Sequence, residues 1–309
     1  MVAVREWWRD LKDLVLPAEC GGCGSARAVL CAGCRAALSG SAPSRVRPVP
    51  EPPGLPVVHA AARYADAVRA ALLAHKERGA LALTAPLGAA LAGAVRAGLR
   101  EVRGDAGGAA TASAGRGPVL LVPVPSARRA VRRRGHDPAR RIALTAAGEL
   151  RRDGTSARVV PVLRQRRAVA DQSGLDARRR LDNLAGALAV VPGGDRLLSA
   201  GGPVVLVDDL MTTGASLAEA ARAVRAATAR ADTGETLAGV MAVSERRAGP
   251  GTHVSARSAV YPSAPGEGRE ERKTGPRMAG PNGGDGVIRR EICAAVVAAS
   301  PDAFEINRN

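Results

Sequence analysis

Five aromatic side chains in 309 residues (Trp7, Trp8, Tyr64, Tyr261 and Phe304) are too few for a platform on which single-stranded bases would stack along a groove. No uninterrupted run of about 18 apolar residues occurs, which argues against a membrane-spanning helix. The opening stretch, MVAVREWWRDLKDLVLP, breaks its apolar residues with charge and lacks a signal-peptide core, so the expected location is the cytoplasm. The pattern G-x-x-x-x-G-K-[ST] is missing, which excludes the P-loop of nucleotide hydrolases. Lysine is scarce, with Lys12, Lys76 and Lys273 its only occurrences, so the formal net charge of +16 is almost entirely arginine. Two sources fit that charge: a compositional preference for Arg over Lys, or an anionic partner such as a polyphosphate substrate or a nucleic acid.

What is present is a core-forming composition, 46% hydrophobic and rich in Ala, Val and Leu. The length suits one α/β domain with a small accessory module. Residues 6–16 carry helical spacing, with Trp7, Leu11, Leu14 and Val15 on one face before Pro17. Residues 41–56 are Pro-rich and read as a semi-rigid linker. Beyond it, 57–64 reads as a strand, 65–76 and 80–101 as helices, and 104–117 as a low-complexity loop. PVLLVPVP is a short strand ended by prolines, followed by an arginine-dense segment at 128–141, a helix over 138–152 and a strand near 158–163. Residues 164–186 lack periodicity, as an active-site loop would. A buried parallel-type strand at 203–209, an amphipathic helix at 217–229 and a strand at 236–244 complete a β–loop–α–β order, which implies a parallel sheet. Composition predicts disorder over 247–288, and 289–309 regains apolar character as a closing strand or a tail.

The sharpest pattern is VVLVDDLMTTGAS. Asp208 and Asp209 fall at the carboxyl end of a strand, where open α/β sheets bind ligands. Thr212, Thr213, Gly214, Ala215 and Ser216 then open directly into a helix. Small residues let backbone N–H groups approach a phosphate, hydroxyls add donors, and the helix N-terminus contributes roughly half a positive charge. The two carboxylates are spaced to accept hydrogen bonds from vicinal ribose hydroxyls. An ordinary Ser/Thr-capped turn is the simpler alternative.

Near the N-terminus, Cys20, Cys23, Cys31 and Cys34 form two C-x-x-C pairs seven residues apart. Four thiolates close a tetrahedral shell, which describes structural rather than catalytic zinc. Disulfides and a redox C-x-x-C are the alternatives, the first disfavoured in a cytoplasmic chain. Cys293 stands apart, as a buried or tail residue.

Taken together, CGGC…CAGC, Tyr64…Arg69…His75-Lys76, VPVPSARRAVRRRGHDPARR, Gln172…Arg180-Leu181-Asp182-Asn183 and VVLVDDLMTTGAS resemble the type I phosphoribosyltransferases, and more closely the ComF/ComFC (GntX-like) family. The resemblance spans about residues 11–245. It implies a parallel sheet flanked by helices, preceded by a zinc module at 1–40 and occupying 57–246. It also implies binding of 5-phosphoribosyl-1-diphosphate (PRPP) with Mg²⁺, and pentosyl transfer in which Asp208 and Asp209 act on the ribose. Lys76, Arg128, Arg129 and Arg132–Arg134 then face phosphate, with Arg134 counted among the PRPP contacts. The family is associated with DNA uptake and competence, so single-stranded DNA or a DNA-processing protein is the implied partner. A catalytically silent PRPP- or DNA-binding accessory protein is the alternative. One departure stands out: Arg134-Gly135-His136-Asp137-Pro138 replaces Arg-Gly-Phe-Asn-Gln, which puts base recognition in doubt and offers His136 as a general base.

Overall fold

The computed structural model describes residues 19–103, 117–167, 177–199, 202–230 and 292–307, all within one compact unit. The predicted helix at 6–16, most of the 104–117 loop, Gln172, the strand at 236–244 and the 247–288 segment lie outside the described residues.

Among the described residues, hydrophobic runs become strands where β-branched or alanine-rich sequence is buried on both faces. The strands are β1 (Ser44–Val46), β2 (Val58–Arg63), β3 (Val119–Pro123), β4 (Ala157–Val159), β5 (Leu163–Gln165), β6 (Leu188–Val190), β7 (Val204–Met211) and β8 (Ile292–Ala299). Six of them form one sheet in the order β1-β2-β8-β7-β3-β4. Only β1 runs antiparallel to its neighbour; all other pairings are parallel. β5 and β6 make a separate antiparallel pair.

Three outcomes differ from the sequence reading. The C-terminal apolar stretch is an interior strand, β8, registered against β2 on one side and β7 on the other. The Pro-rich 41–56 stretch is more than a linker, because it contains β1 and buries Val46. The single strand expected near 158–163 is two short ones in different sheets, since the chain leaves the main sheet after Val159.

The helices are α1 (Ala32–Ser39), α2 (Asp66–Glu77), α3 (Thr84–Arg103), α4 (Arg128–Arg134), α5 (Pro138–Arg152), α6 (Ala177–Leu184), α7 (Gly194–Ser199) and α8 (215–230). They cover both faces of the sheet. On one side Val205, Val207, Leu121, Ala295 and Val297 pack with apolar residues of α2, α3 and α5 and of the cysteine module. On the other, Val204, Leu206, Leu120, Val122 and Val296 pack with α8 and the β5–β6 pair. Each fully buried Val or Leu is worth roughly 1.5–3 kcal/mol of transfer free energy. Leu81–Val102 is the one described helical segment long and apolar enough to cross a membrane, and 56% of its 18-residue apolar window is buried within the protein. It crosses α5 closely: a Cβ on Gly88 would stand 2.5 Å from Thr145 Cβ and Cγ2.

Candidate functional site

The carboxyl ends of β3 and β7, parallel neighbours, open on the same edge of the sheet. There the valines of β7 give way to Asp208 and Asp209, and the chain passes through Thr212, Thr213 and Gly214 into α8. Gly214 has φ +74°, a left-handed conformation that costs other residues strain, and Ala218 N–H donates to its carbonyl at 2.9 Å. Thr212 is exposed, Thr213 and Ser216 half-buried, and Ala215 buried. The loop hydroxyls therefore sit at a helix N-terminus, an end that favours an anion, with Thr212 facing solvent. A Cβ on Gly214 would meet Leu55 and Pro48 at 3.2 Å, so the Pro-rich stretch lies against this loop, and Arg225 Nη1 donates to Gly54 O at 2.7 Å.

Successive strand residues leave on opposite faces. Asp209 turns toward α2, where its Oδ2 lies 2.9 Å from Lys76 Nζ. Asp208 folds back and accepts the Asp209 N–H at 2.8 Å. Burial raises the Asp208 carboxyl well above the ordinary range, and the charge on Asp209 adds to it. Burial works in the same sense on Asp209, but Lys76 outweighs it and holds that carboxyl below the ordinary range. Lys76 mirrors this: burial favours the neutral amine, yet Asp209 and Asp208 raise its pKa. The pair is thus divided into one carboxyl that resists ionisation and one held ionised by an ammonium.

Three consecutive residues fasten the end of α2. His75 is buried, its Nε2 3.1 Å from Thr84 Oγ1 at the start of α3. Lys76 reaches Asp209. Glu77 receives Arg134 through Nη2 at 2.6 Å and Nε at 3.1 Å. Arg134, expected on PRPP, is therefore engaged beside the site, while Arg128, Arg129, Arg132 and Arg133 of α4 are exposed. His75 and His136 meet edge-on with ring centroids 5.6 Å apart.

His136 is buried, not at the surface, and its Nδ1 lies 3.1 Å from Arg134 O. The His136-Asp137-Pro138 departure has a local structural account. Gly135, at φ +75°, stops α4; Asp137 caps α5 by accepting the Arg140 N–H at 3.2 Å; Pro138 occupies its first turn.

Burial, then the neighbouring His136, lowers the His75 pKa to about 4. A histidine kept neutral in the fold contributes stability that is complete above about pH 6.5 and is lost as pH falls toward 4. The span is worth on the order of 3 kcal/mol. The urea midpoint of the native protein should therefore fall between pH 6.5 and 4 more steeply than that of His75→Gln. Parallel pH profiles would remove this assignment.

α6 and β6 border the loop as well. Leu181 and Leu184 pack with Ala215, so the Arg180–Asn183 segment lies beside the start of α8. Buried Glu219 accepts the Leu188 N–H at 2.9 Å and pairs with Arg222, which fixes β6 to α8 just beyond the loop.

The four N-terminal cysteines converge from a tight turn and the start of α1, with their sulfurs all within 4.8 Å of one another. Tetrahedral zinc with Zn–S near 2.3 Å sets sulfurs about 3.8 Å apart, and Cys23 and Cys31 Sγ are 3.6 Å apart. Gly22 is required by this crowding, because a Cβ there would lie 2.7 Å from Cys34 Sγ. Burial favours the protonated Cys20 thiol, yet N–H donors from Cys31, Cys23 and Gly22 outweigh it and bring the pKa down to about 6. Cys31 N–H reaches Cys20 Sγ at 3.3 Å. The donor set could hold a structural zinc ion. Cys293 does not join this cluster and is buried in β8.

No family model matches the chain, and no curated protein matches it either. What the site can do is set by its own chemistry. Glu77, Leu55 and Pro48 carried no sequence signal for their placement, because the Glu77–Arg134 pair spans 57 residues and the Leu55 contact is a packing event.

Proposed function

We propose that this protein binds PRPP with Mg²⁺ at the β7–α8 loop and transfers or recognises 5-phosphoribosyl groups, as a type I phosphoribosyltransferase-like protein of the ComF kind. One observation carries the reading: two carboxylates stand near the carboxyl end of a buried parallel strand, which runs on through Leu210 and Met211 before Thr212, Thr213 and a left-handed Gly214 lead into the N-terminus of α8. In this reading the amides and hydroxyls of Thr212–Ser216 hold the 5′-phosphate, and Asp208 and Asp209 take the ribose hydroxyls. The exposed arginines of α4, which follows β3 on the same sheet edge, face the departing diphosphate. Mg²⁺ would neutralise the diphosphate as it leaves. Departure generates oxocarbenium-like charge, so placed charges rather than a nucleophile would carry the rate. The cysteine cluster would hold zinc as a structural staple for a segment too small to fold alone.

Calorimetric titration of PRPP and Mg²⁺ tests this directly. The native protein should bind, and Asp208→Asn with Asp209→Asn should lose binding by about tenfold or more, as the ionised acceptor at Asp209 becomes neutral and an amide donor replaces one carboxyl oxygen at each position. Equal affinity in the double variant would sink the site. A second reading draws on the exposed Arg128, Arg129, Arg132 and Arg133: an accessory protein for DNA import that binds single strands. Salt-sensitive binding to single-stranded DNA that survives the double variant would favour it.

A further inference from the structure

Asp209 already has a cation. Lys76 Nζ is 2.9 Å from its Oδ2, and Lys76 is the only lysine among the described residues. The side chain is not loosely draped there. His75 on one side is buried and tied to Thr84, and Glu77 on the other is gripped by two guanidinium nitrogens of Arg134. A surface lysine ordinarily loses much rotamer entropy in forming an ion pair, which makes such pairs weak. Here the helix end is anchored on both sides of Lys76, and its side chain is 32% exposed against an Asp209 side chain that is 8% exposed, so the pair is shielded from water more than a surface pair is.

We infer that Lys76 is a tethered counter-ion that closes the Asp208–Asp209 pair to free divalent cations, so that metal enters this site only together with a polyphosphate ligand able to draw the ammonium away. The inference deepens the PRPP reading and rests on it for the identity of that ligand. A free Mg²⁺ or Mn²⁺ ion must displace an ammonium held at close range on the same carboxylate. A metal–diphosphate complex brings phosphate oxygens that offer Lys76 a new partner, so the exchange of charges is balanced. Lys76 is then a positioning residue that imposes an order on binding, and its phosphate contact is the second of two positions it takes.

The test titrates Mn²⁺ alone, at pH 8 and without PRPP, into the native protein, Lys76→Met and Lys76→Arg, followed by electron paramagnetic resonance of free Mn²⁺. Lys76→Met should bind Mn²⁺ about tenfold more tightly than the native protein, or better, because one unit charge at this range counts for at least that much. Lys76→Arg should restore the native weakness, which loss of packing alone would not do. Equal Mn²⁺ affinity in the native and Met proteins overturns the proposal. Should Lys76→Met not fold, Lys76→Gln removes the charge while leaving a polar side chain that can still donate to Asp209. A rise of about tenfold is expected from it as well, and no rise overturns the proposal. No PRPP enters these titrations, so they stand or fall separately from PRPP binding by the native protein.

Discussion

Replacing Cys20 and Cys23 together by Ser is expected to release the proposed zinc and to unfold residues 19–40 while the main sheet persists. Metal-linked folding free energy in small zinc modules is on the order of 10 kcal/mol, far more than this segment can gain from its own burial. The segment has few apolar contributors: Leu30, Cys34 and Leu38 are buried, while Cys23 to Arg27 are exposed. Its turn is held by Cys20 N–H to Ser25 O at 2.7 Å and Gly24 N–H to Cys20 O at 2.8 Å, bonds that water replaces once the sulfurs part. The consequence should spread one layer further. Gly22 lies against Ala67 of α2, and a Cβ on Gly21 would meet Leu83 at 2.6 Å, so the module seats on the helix that carries Lys76. Hydrogen exchange and zinc quantification check this together. Fast exchange confined to 19–40 and the first turns of α2, with zinc lost, is the expected result. One zinc per chain retained by the variant would show that the ligands are misassigned.

Gly88→Leu should be the most damaging single substitution in the helical layer. At this crossing of α3 and α5, even a methyl group would overlap Thr145 Cβ and Cγ2 at 2.5 Å and approach Ala146 N at 3.2 Å. Thr145 is β-branched and cannot swing its Cβ away, so relief requires the helices to separate. Separation would loosen Ile142, Ala143, Ala146 and Ala147, all essentially inaccessible to solvent. Overpacking typically costs about 1–3 kcal/mol, and the larger leucine branch, together with the loosened packing of α5, places the expectation at or above about 3 kcal/mol. Gly88→Ala should cost less, because it inserts one methyl group rather than a leucine branch, while either residue regains helix propensity over glycine. Thr145→Ser should relieve part of that cost when combined with Gly88→Ala, since it removes the Cγ2 methyl. Denaturant midpoints for the two single variants and the pair measure the coupling. Additive changes would mean that the crossing is not where the strain falls.

Residues adjacent in sequence were legible wherever local chemistry governs the outcome. VVLVDD announced β7, because a valine-rich run buried on both faces has no other comfortable home. TTGAS announced a turn into α8, because Gly214 and the hydroxyls suit a helix start. The C-x-x-C pairs announced a sulfur cluster, because each pair's spacing already brings two thiols together. Asp137-Pro138 belongs with these: its cap and first-turn roles are written in the residue types, although the family resemblance drew attention to it as a missing base contact.

Where partners lie far apart in the chain, the outcome came from the assembled fold. ICAAVVAA offers neither alternation nor length enough to separate an interior strand from a tail, and only its registers with β2 and β7 place it inside the sheet. Nothing local to Pro48 and Leu55 indicates that they lie against Gly214. The division of labour between Asp208 and Asp209 is likewise invisible in the dipeptide, since it depends on which face of β7 meets α2. Short-range sterics and spacing are sufficient for the strand, the turn into α8 and the four-thiol cluster, so the chain specifies these locally. Packing places Lys76, held between His75–Thr84 and Glu77–Arg134, on Asp209, because ion pairs form between elements whose distance in sequence carries no information about their distance in space.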